Sequence, residues 1–582
     1  MRFVSPRQRF TRSVSLITTA ATTAALLTAA NQPATAQIQL STSSVTGSDG
    51  KVYSVTNHLK VGDLEAGHHP RRPHEYLLAW TGDSEPRADG TQEPDFLAII
   101  DVSRGLPTYG KVVNTATLSP LTGNEPHHMQ YTWQRGQKLY AGGLLGDTIF
   151  VFDIGQLPEV TLSGVALPTD TPCGSAPDAF SVLRDGTAYG TMLGGPNVSG
   201  PCTYSNGETR SGNGFAGTPG EVVHIGTDGR ILAEVAAASA TGEDPALCHS
   251  IPALPVPTCA NPHGIAVRED LNAMLTSDFV EVRNLVGGHG LPDPFLARNT
   301  IRSYDISDRA RPRLRTVMRL AVGPRNGPVA SQENLLVMET AVTHQARHRG
   351  AFASTANGAV YYTPDFTAAQ PVWREILDDA TAFTFLYPVN PPTSDSDGGG
   401  WLQVSPDDRF LFHTVMYGGV SSPAHQDSGM VYALDISRLL AAGTHTSCEI
   451  DSSAEITAGG AEPDCPVVRG AVPIVDPTSG GAHWGAMDNF AAGSSGYFHE
   501  TDRIRRLAVS NYFVAVAGFD GDHRICLVNV GPAGRLSLDT SFRDEVTRRP
   551  CLDFDRAGWP HGDTGAARPH GVVFAVAEAD LR

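Results

Sequence analysis

Phe96-Leu-Ala-Ile-Ile-Asp101-Val, Thr148-Ile-Phe-Val-Phe-Asp153-Ile, Thr300-Ile-Arg-Ser-Tyr-Asp305-Ile and Met430-Val-Tyr-Ala-Leu-Asp435-Ile are one phrase written four times. Each is a short apolar run closed by an aliphatic-Asp-aliphatic step. Looser copies stand at Glu221–Ile225, Ala359–Thr363 and Arg524–Val530, which makes seven. A second unit precedes several of them: Leu139–Gly143, Thr187–Thr191, Leu271–Thr276, Phe410–Thr414 and Tyr512–Val516. Pro406-Asp407-Asp408-Arg409 reads as the hairpin turn before one of these. The runs are four to eight residues long, rich in β-branched and aromatic side chains and bounded by Gly, Pro or Asp, which is how strands are punctuated. Self-similarity at tens of residues marks a repeat architecture. Seven units of several strands each predict an all-β, seven-bladed β-propeller. A row of β-sandwiches would also give short strands, but not one recurring strand end.

The composition agrees. In 582 residues there are 60 Gly and 41 Pro, which favours many turns over long helices. The apolar fraction of 41 % excludes wholesale disorder. With 43 Lys and Arg against 61 Asp and Glu, the net charge of −18 argues against a nucleic-acid partner, which needs a basic surface. The spacing between repeats is uneven, and the surplus falls in polar loops at 193–219, 236–260, 281–298, 389–400, 440–480 and 535–567. Long insertions of this kind carry binding functions or cross one face of a fold. Asp395–Gly400 reads as a plain connector, with a calcium loop as the alternative.

Residues 1–36 read as a secretory signal peptide: Arg2, Arg7, Arg9 and Arg12, an apolar run from Val14 to Ala29, then Ala34-Thr35-Ala36 as the cleavage site. Residues 37–582 are then a single propeller domain, secreted or periplasmic, and losing those four positive charges takes the net charge from −18 to −22. The apolar run is too short for a span of about 20 residues, and no later stretch supplies an integral membrane segment. In an oxidising compartment the eight cysteines are expected as disulfides. Sequential pairing, 173 with 202, 248 with 259, 448 with 465 and 526 with 551, would staple the insertion loops. There is no C-x-x-C.

Chemistry is expected at the histidines. Pro126-His127-His128, Pro262-His263-Gly264 and Pro569-His570-Gly571 share a Pro-His step at a strand start, and His344 follows an apolar strand. Pro biases the residue before it to extended geometry, so each His stands where a strand begins. The innermost strand of every propeller blade has one end at the central channel, so histidines at equivalent positions converge on the axis. Several neutral imidazoles at one point suit copper, with iron or zinc as alternatives. Glu125, Asp278 and Glu339, with Thr276, are the groups expected to serve the chemistry as acceptors that hold the rings. His413 and His483 are held in reserve. His561 and the group His68, His69 and His74 read as loop residues. Because neighbours on a strand point to opposite faces, only one of His127 and His128 is expected as a ligand. No G-x-S-x-G elbow, H-E-x-x-H or phosphate-loop lysine motif is present.

Three stretches resemble the selenium-binding protein / methanethiol oxidase family. They are Tyr304-Asp-Ile-Ser-Asp308 with Ala310-Arg-Pro-Arg-Leu314, the unit Leu402–Phe412, and an order of parts: the double histidine, Met274-Leu-Thr-Ser-Asp278, and His570 near the C-terminus. The resemblance implies a seven-bladed propeller. For the methanethiol oxidase branch it implies a histidine-bound copper and oxidation of a thiol by oxygen to aldehyde, sulfide and peroxide. It carries over His127 or His128, and His570. His263 and His344 rest on the repeat alone. The family's cysteine-containing selenium motif has no counterpart, and the family spaces its early histidines apart. The expected activity is therefore a metal-dependent oxidoreductase acting on a small sulfur or other small organic molecule. Two rivals stay open: a non-enzymatic propeller that binds a protein or glycan through its long loops, and a lactonase-like hydrolase, which would favour calcium and axial oxygen donors.

Overall fold

A computed structural model describes residues 37–61, 73–83, 93–120, 125–198, 200–243, 248, 257–283, 297–325, 327, 329, 332–387, 398–416, 428–475, 482–515 and 520–582. The expected signal peptide, His68, His69 and the first half of the Asp395–Gly400 stretch lie outside these residues.

Among the described residues, antiparallel strands form seven blades. From the axis outward, blade 2 is Pro126–Met129, Leu139–Gly143, Thr148–Asp153 and Thr161–Ala166. Blade 3 is Ser175–Val182, Ala188–Gly194, Glu221–Ile225 and Ile231–Ala236. Blades 4, 5 and 6 open with Pro262–Arg268, Val337–Val342 and Gly399–Val404. Blade 7 opens with Trp484–Met487 and continues through Arg506–Ser510 and Arg524–Val530. Blade 1 is closed from the other end of the chain: Ala567–Val576 is its innermost strand, paired with Glu75–Asp83. The seven innermost strands pack side by side in a closed ring, so the propeller is sealed by joining residues 75 and 576.

The seven repeats are the third strands of the seven blades. Their Asp has a physical role. Asp101, Asp153, Asp305 and Asp435 each accept a hydrogen bond from the amide two residues on, at 2.8, 2.9, 2.9 and 3.1 Å. This side-chain turn bends the backbone out of the sheet and ends the strand. Four of the preceding units overlap second strands. The fifth does not: in blade 7 the second strand is Arg506–Ser510, and Tyr512 lies beyond it.

Two additions extend the frame. Strands Ile38–Thr46 and Val52–Lys60 widen blade 1 to six strands and bond blade 2, where Asn57 donates to Val160 O at 2.8 Å. Insertions carry ribbons of their own, at Cys202–Thr203 with Thr209–Arg210, Phe490–Ala492 with Phe498–Glu500, and Gly558–Trp559 with Gly562–Asp563. The cysteines stand in sequential pairs at disulfide distance, as expected for an oxidising environment. Among the described residues no helix is long and apolar enough to cross a membrane.

Candidate metal centre

The innermost strands are irregular where they meet the axis. In six blades two residues of that strand oppose one residue of the second strand. The doubled pairs are His570-Gly571, His127-His128, Asp178-Ala179, His263-Gly264, Met338-Glu339 and Gly400-Trp401. A bulge suspends strand alternation and re-aims side chains. The repeat of this bulge around the ring builds the site.

Five imidazoles and one carboxylate meet there, and all are buried. His570 comes from blade 1, His127 and His128 from blade 2, Asp178 from blade 3 and His263 from blade 4. His483 comes from the residue before the first strand of blade 7. His127 Nε2 and His128 Nδ1 lie 3.0 and 2.9 Å from Asp178 Oδ1. His263 Nδ1 lies 3.4 Å from Asp178 Oδ2 and 3.5 Å from Glu339 Oε1. His128 Nε2 lies 3.1 Å from His483 Nε2. His570 packs edge-on to His127, with ring centres 4.1 Å apart. The alternation argument for the double histidine fails here. Both rings reach the same carboxylate oxygen, because the bulge places them side by side.

Burial pushes the His128 ring down to about 3 and lowers His263, His483 and His570 as well. Neutral imidazoles with free lone pairs are the form that ligates a metal. Among the described residues, neither nitrogen of His570 has a hydrogen-bond partner, nor do Asp178 Oδ1 and Oδ2, His127 Nδ1 or His263 Nδ1. Buried polar atoms are rarely left so. A set of unpaired nitrogens and one carboxylate fits a transition ion of the copper or zinc kind.

The surroundings fix the rings and keep them dry. Trp484 stacks on His128, with ring centres 4.0 Å apart. Phe279 and Phe513 contact the His263 and His483 rings, and Met416 Sδ lies 3.2 Å from His483 Nδ1. These three belong to one buried apolar cluster. On another side Tyr131 donates to Glu339 Oε2 at 2.5 Å, and burial holds the Glu339 carboxyl well above the usual range. Tyr131 also lines a cavity of about 440 Å³ together with Gln130, Arg268 and Gln403.

The remaining expected residues are placed elsewhere or beside the cluster. His344 lies beyond the far end of its strand, where its Nε2 donates to Val404 O at 3.0 Å, and it is not among the converging donors. It sits five residues past Glu339, and at about 3.3 Å per residue a strand carries it out of reach of the axis. Asp278 braces the fold instead of facing the rings. It accepts from Thr300 Oγ1, Arg302 Nε and the Asn261 amide at 2.6, 2.6 and 2.8 Å. Glu125 borders the cluster: it accepts from the Tyr512 hydroxyl, and the Tyr512 ring stands edge-on to His570. His413 is a structural residue bonded to Trp401 O at 2.8 Å, and His561 bonds Thr115 and Thr564. His74 pairs with Asp101 at 2.8 Å. Asp178 is the donor that sequence reading missed. The signal was Ala176-Pro177-Asp178, the same Pro step with Asp in place of His.

No family model matches the chain, and no curated protein matches it. Among solved structures it is similar to a hypothetical selenium-binding protein from Sulfolobus tokodaii. The identity is 16 %, the TM-score 0.51, and the match covers 89 % of this chain and 96 % of that one. At this identity the likeness is one of fold. A periplasmic gluconolactonase from Pseudomonas aeruginosa follows at 13 % identity and TM-score 0.43, over 86 % and 99 % of the two chains.

Proposed function

We propose that the protein is an exported, metal-dependent oxidoreductase, with copper as its ion and a small sulfur or other small organic compound as its substrate, oxidised by oxygen. The observation that carries this reading is the convergence of His127, His128, His263, His483 and His570 from four blades in one buried cluster. His128, His483 and His570 are the imidazole set, with the Asp178 carboxylate 2.9 Å from His128 Nδ1 beside it. Bound there, copper supplies an open coordination position and one-electron redox chemistry.

The chain's own residues do the rest. The apolar groups Phe279, Met416 and Phe513 exclude water from one side. Tyr131 holds a proton at Glu339 Oε2 on another. The cavity at Tyr131 offers a small molecule an approach that stops one side chain short of Glu339. A lactonase-like hydrolase would want mainly oxygen donors, whereas here one carboxylate meets five imidazoles.

Elemental mass spectrometry tests the reading. The mature protein is offered copper, iron and zinc beside a His127→Ala, His263→Ala, His570→Ala triple variant. Bound copper that the folded variant loses, followed by oxygen uptake with a small alkyl thiol, supports the proposal. A folded wild-type protein that retains no transition metal would overturn it.

A further inference from the structure

We infer that the axial cluster is built for two metal ions, with the ring of His128 bridging them. The inference rests on the reading of the cluster as a metal centre and adds a second ion position to it. An imidazole carries its two nitrogens on opposite sides, so one ion takes only one of them. In His128 each nitrogen faces a different donor set. Nδ1 looks toward Asp178, at 2.9 Å, with His127 and His263 grouped around the same carboxylate. Nε2 looks toward His483 Nε2, at 3.1 Å, with His570 beside it. Within each set the donor atoms lie within 4.8 Å of one another, and His128 is the residue common to both.

The separations suit coordination. Donors held about 2.0–2.1 Å from one ion lie about 2.8–3.4 Å apart at square or tetrahedral angles. The observed 2.9, 3.0, 3.1 and 3.4 Å fall in that range. Hydrogen bonding explains less. Asp178 sits within 3.0 Å of two ring nitrogens, yet neither of its oxygens is in hydrogen-bond geometry. His570 has no hydrogen-bond partner at either nitrogen among the described residues. Six buried donors also exceed the four that one tetrahedral ion takes. Glu339 Oε1, 3.5 Å from His263 Nδ1 and unpaired, stands ready beside the first set. When both nitrogens ligate, the remaining ring proton of His128 leaves to solvent and the bridge is an imidazolate. The competing arrangement is a single ion, with Asp178 only orienting His128 through an Nδ1–H bond.

Copper(II) is the probe. The mature protein is loaded, freed of excess metal, and examined by elemental mass spectrometry and electron paramagnetic resonance, with circular dichroism as the folding control. Two coppers per chain are expected, with a spin count well below the copper content because the imidazolate couples the pair. His263→Ala is expected to fall to one copper per chain and to recover the full spin count of an isolated ion. One copper per wild-type chain with full spin count would overturn the bridge and leave the proposed function standing. No copper on a folded wild-type chain would overturn both. Should His263→Ala fail to fold, the wild-type stoichiometry and spin count still decide.

Discussion

The hydroxyl of Ser510, in the second strand of blade 7, donates to the carbonyl oxygen of His570, in the first strand of blade 1, at 2.5 Å. The same link recurs around the ring. Thr191 donates to His263 O, Ser277 to Met338 O, Ser354 to Gly400 O and Thr414 to His483 O, at 2.5, 2.7, 2.9 and 3.1 Å. Each hydroxyl stands opposite the axial residues of its own blade and fastens those of the next. Ser510→Ala leaves a buried carbonyl unpaired, which costs about 1–3 kcal/mol. Because that carbonyl belongs to His570, metal affinity should also fall, by about 10–100-fold if it behaves as outer supports of metal ligands do. Chemical denaturation and a metal competition titration read the two effects separately.

His344 and His570 make a paired test of placement. Loss of the His344 side chain removes a hydrogen bond to Val404 O and should cost about 1 kcal/mol of stability with metal content unchanged. His570→Ala should lower bound metal in a protein that remains folded. A fall in metal for His344→Ala, measured on folded material, would place that residue at the centre after all.

A pH dependence is expected at His523. Burial opposes its charge, but Asp520 and Asp555, at 2.9 and 2.6 Å, raise it to about 9. Arg568 also faces Asp520, at 3.3 Å. The folded value lies above the ordinary 6.5, so the stabilisation is fully present below pH 6.5 and is lost as pH rises through 9. Both carboxylates are about half exposed, which screens the pair and leaves about 1 kcal/mol. His523→Gln should lower the urea midpoint at pH 6 and leave it unchanged at pH 9.5.

The pair Cys173–Cys202 ties the residue just before the first strand of blade 3 to the insertion after its second strand, a separation of 29 residues. A loop of this size is worth about 3–4 kcal/mol when it is tied. Cys173→Ser with Cys202→Ser should lower the thermal midpoint in oxidising buffer, and the double variant should respond less to dithiothreitol than the parent.

Much of the fold was legible because its punctuation is local. The third strands could be counted since each Asp caps its own strand through an amide two residues away. In blade 7 the pattern misleads: Tyr512 opens an apolar run, but the strand has already ended at Ser510. The site was half legible. A Pro before an axial His marked His127, His263 and His570. Asp178 carries the same Pro but is a carboxylate, so a pattern of repeated histidines does not include it. His344 was drawn in by an apolar strand whose axial end is at Val337, not at Val342. The pairing of His127 with His128 could not be read at all, because a bulge depends on a partner strand, and Gly142 lies fourteen residues further along the chain.

Blade 1 takes its axial strand from Ala567–Val576, after the other six blades in the chain. As the chain is made, His127, His128, Asp178, His263 and His483 all exist before their last companion does. A chain cut short of residue 567 therefore loses in one stroke the seal of the ring and one donor of the centre. On the proposed reading, full metal occupancy would report ring closure, and metal supplied before it would meet an unfinished set of donors.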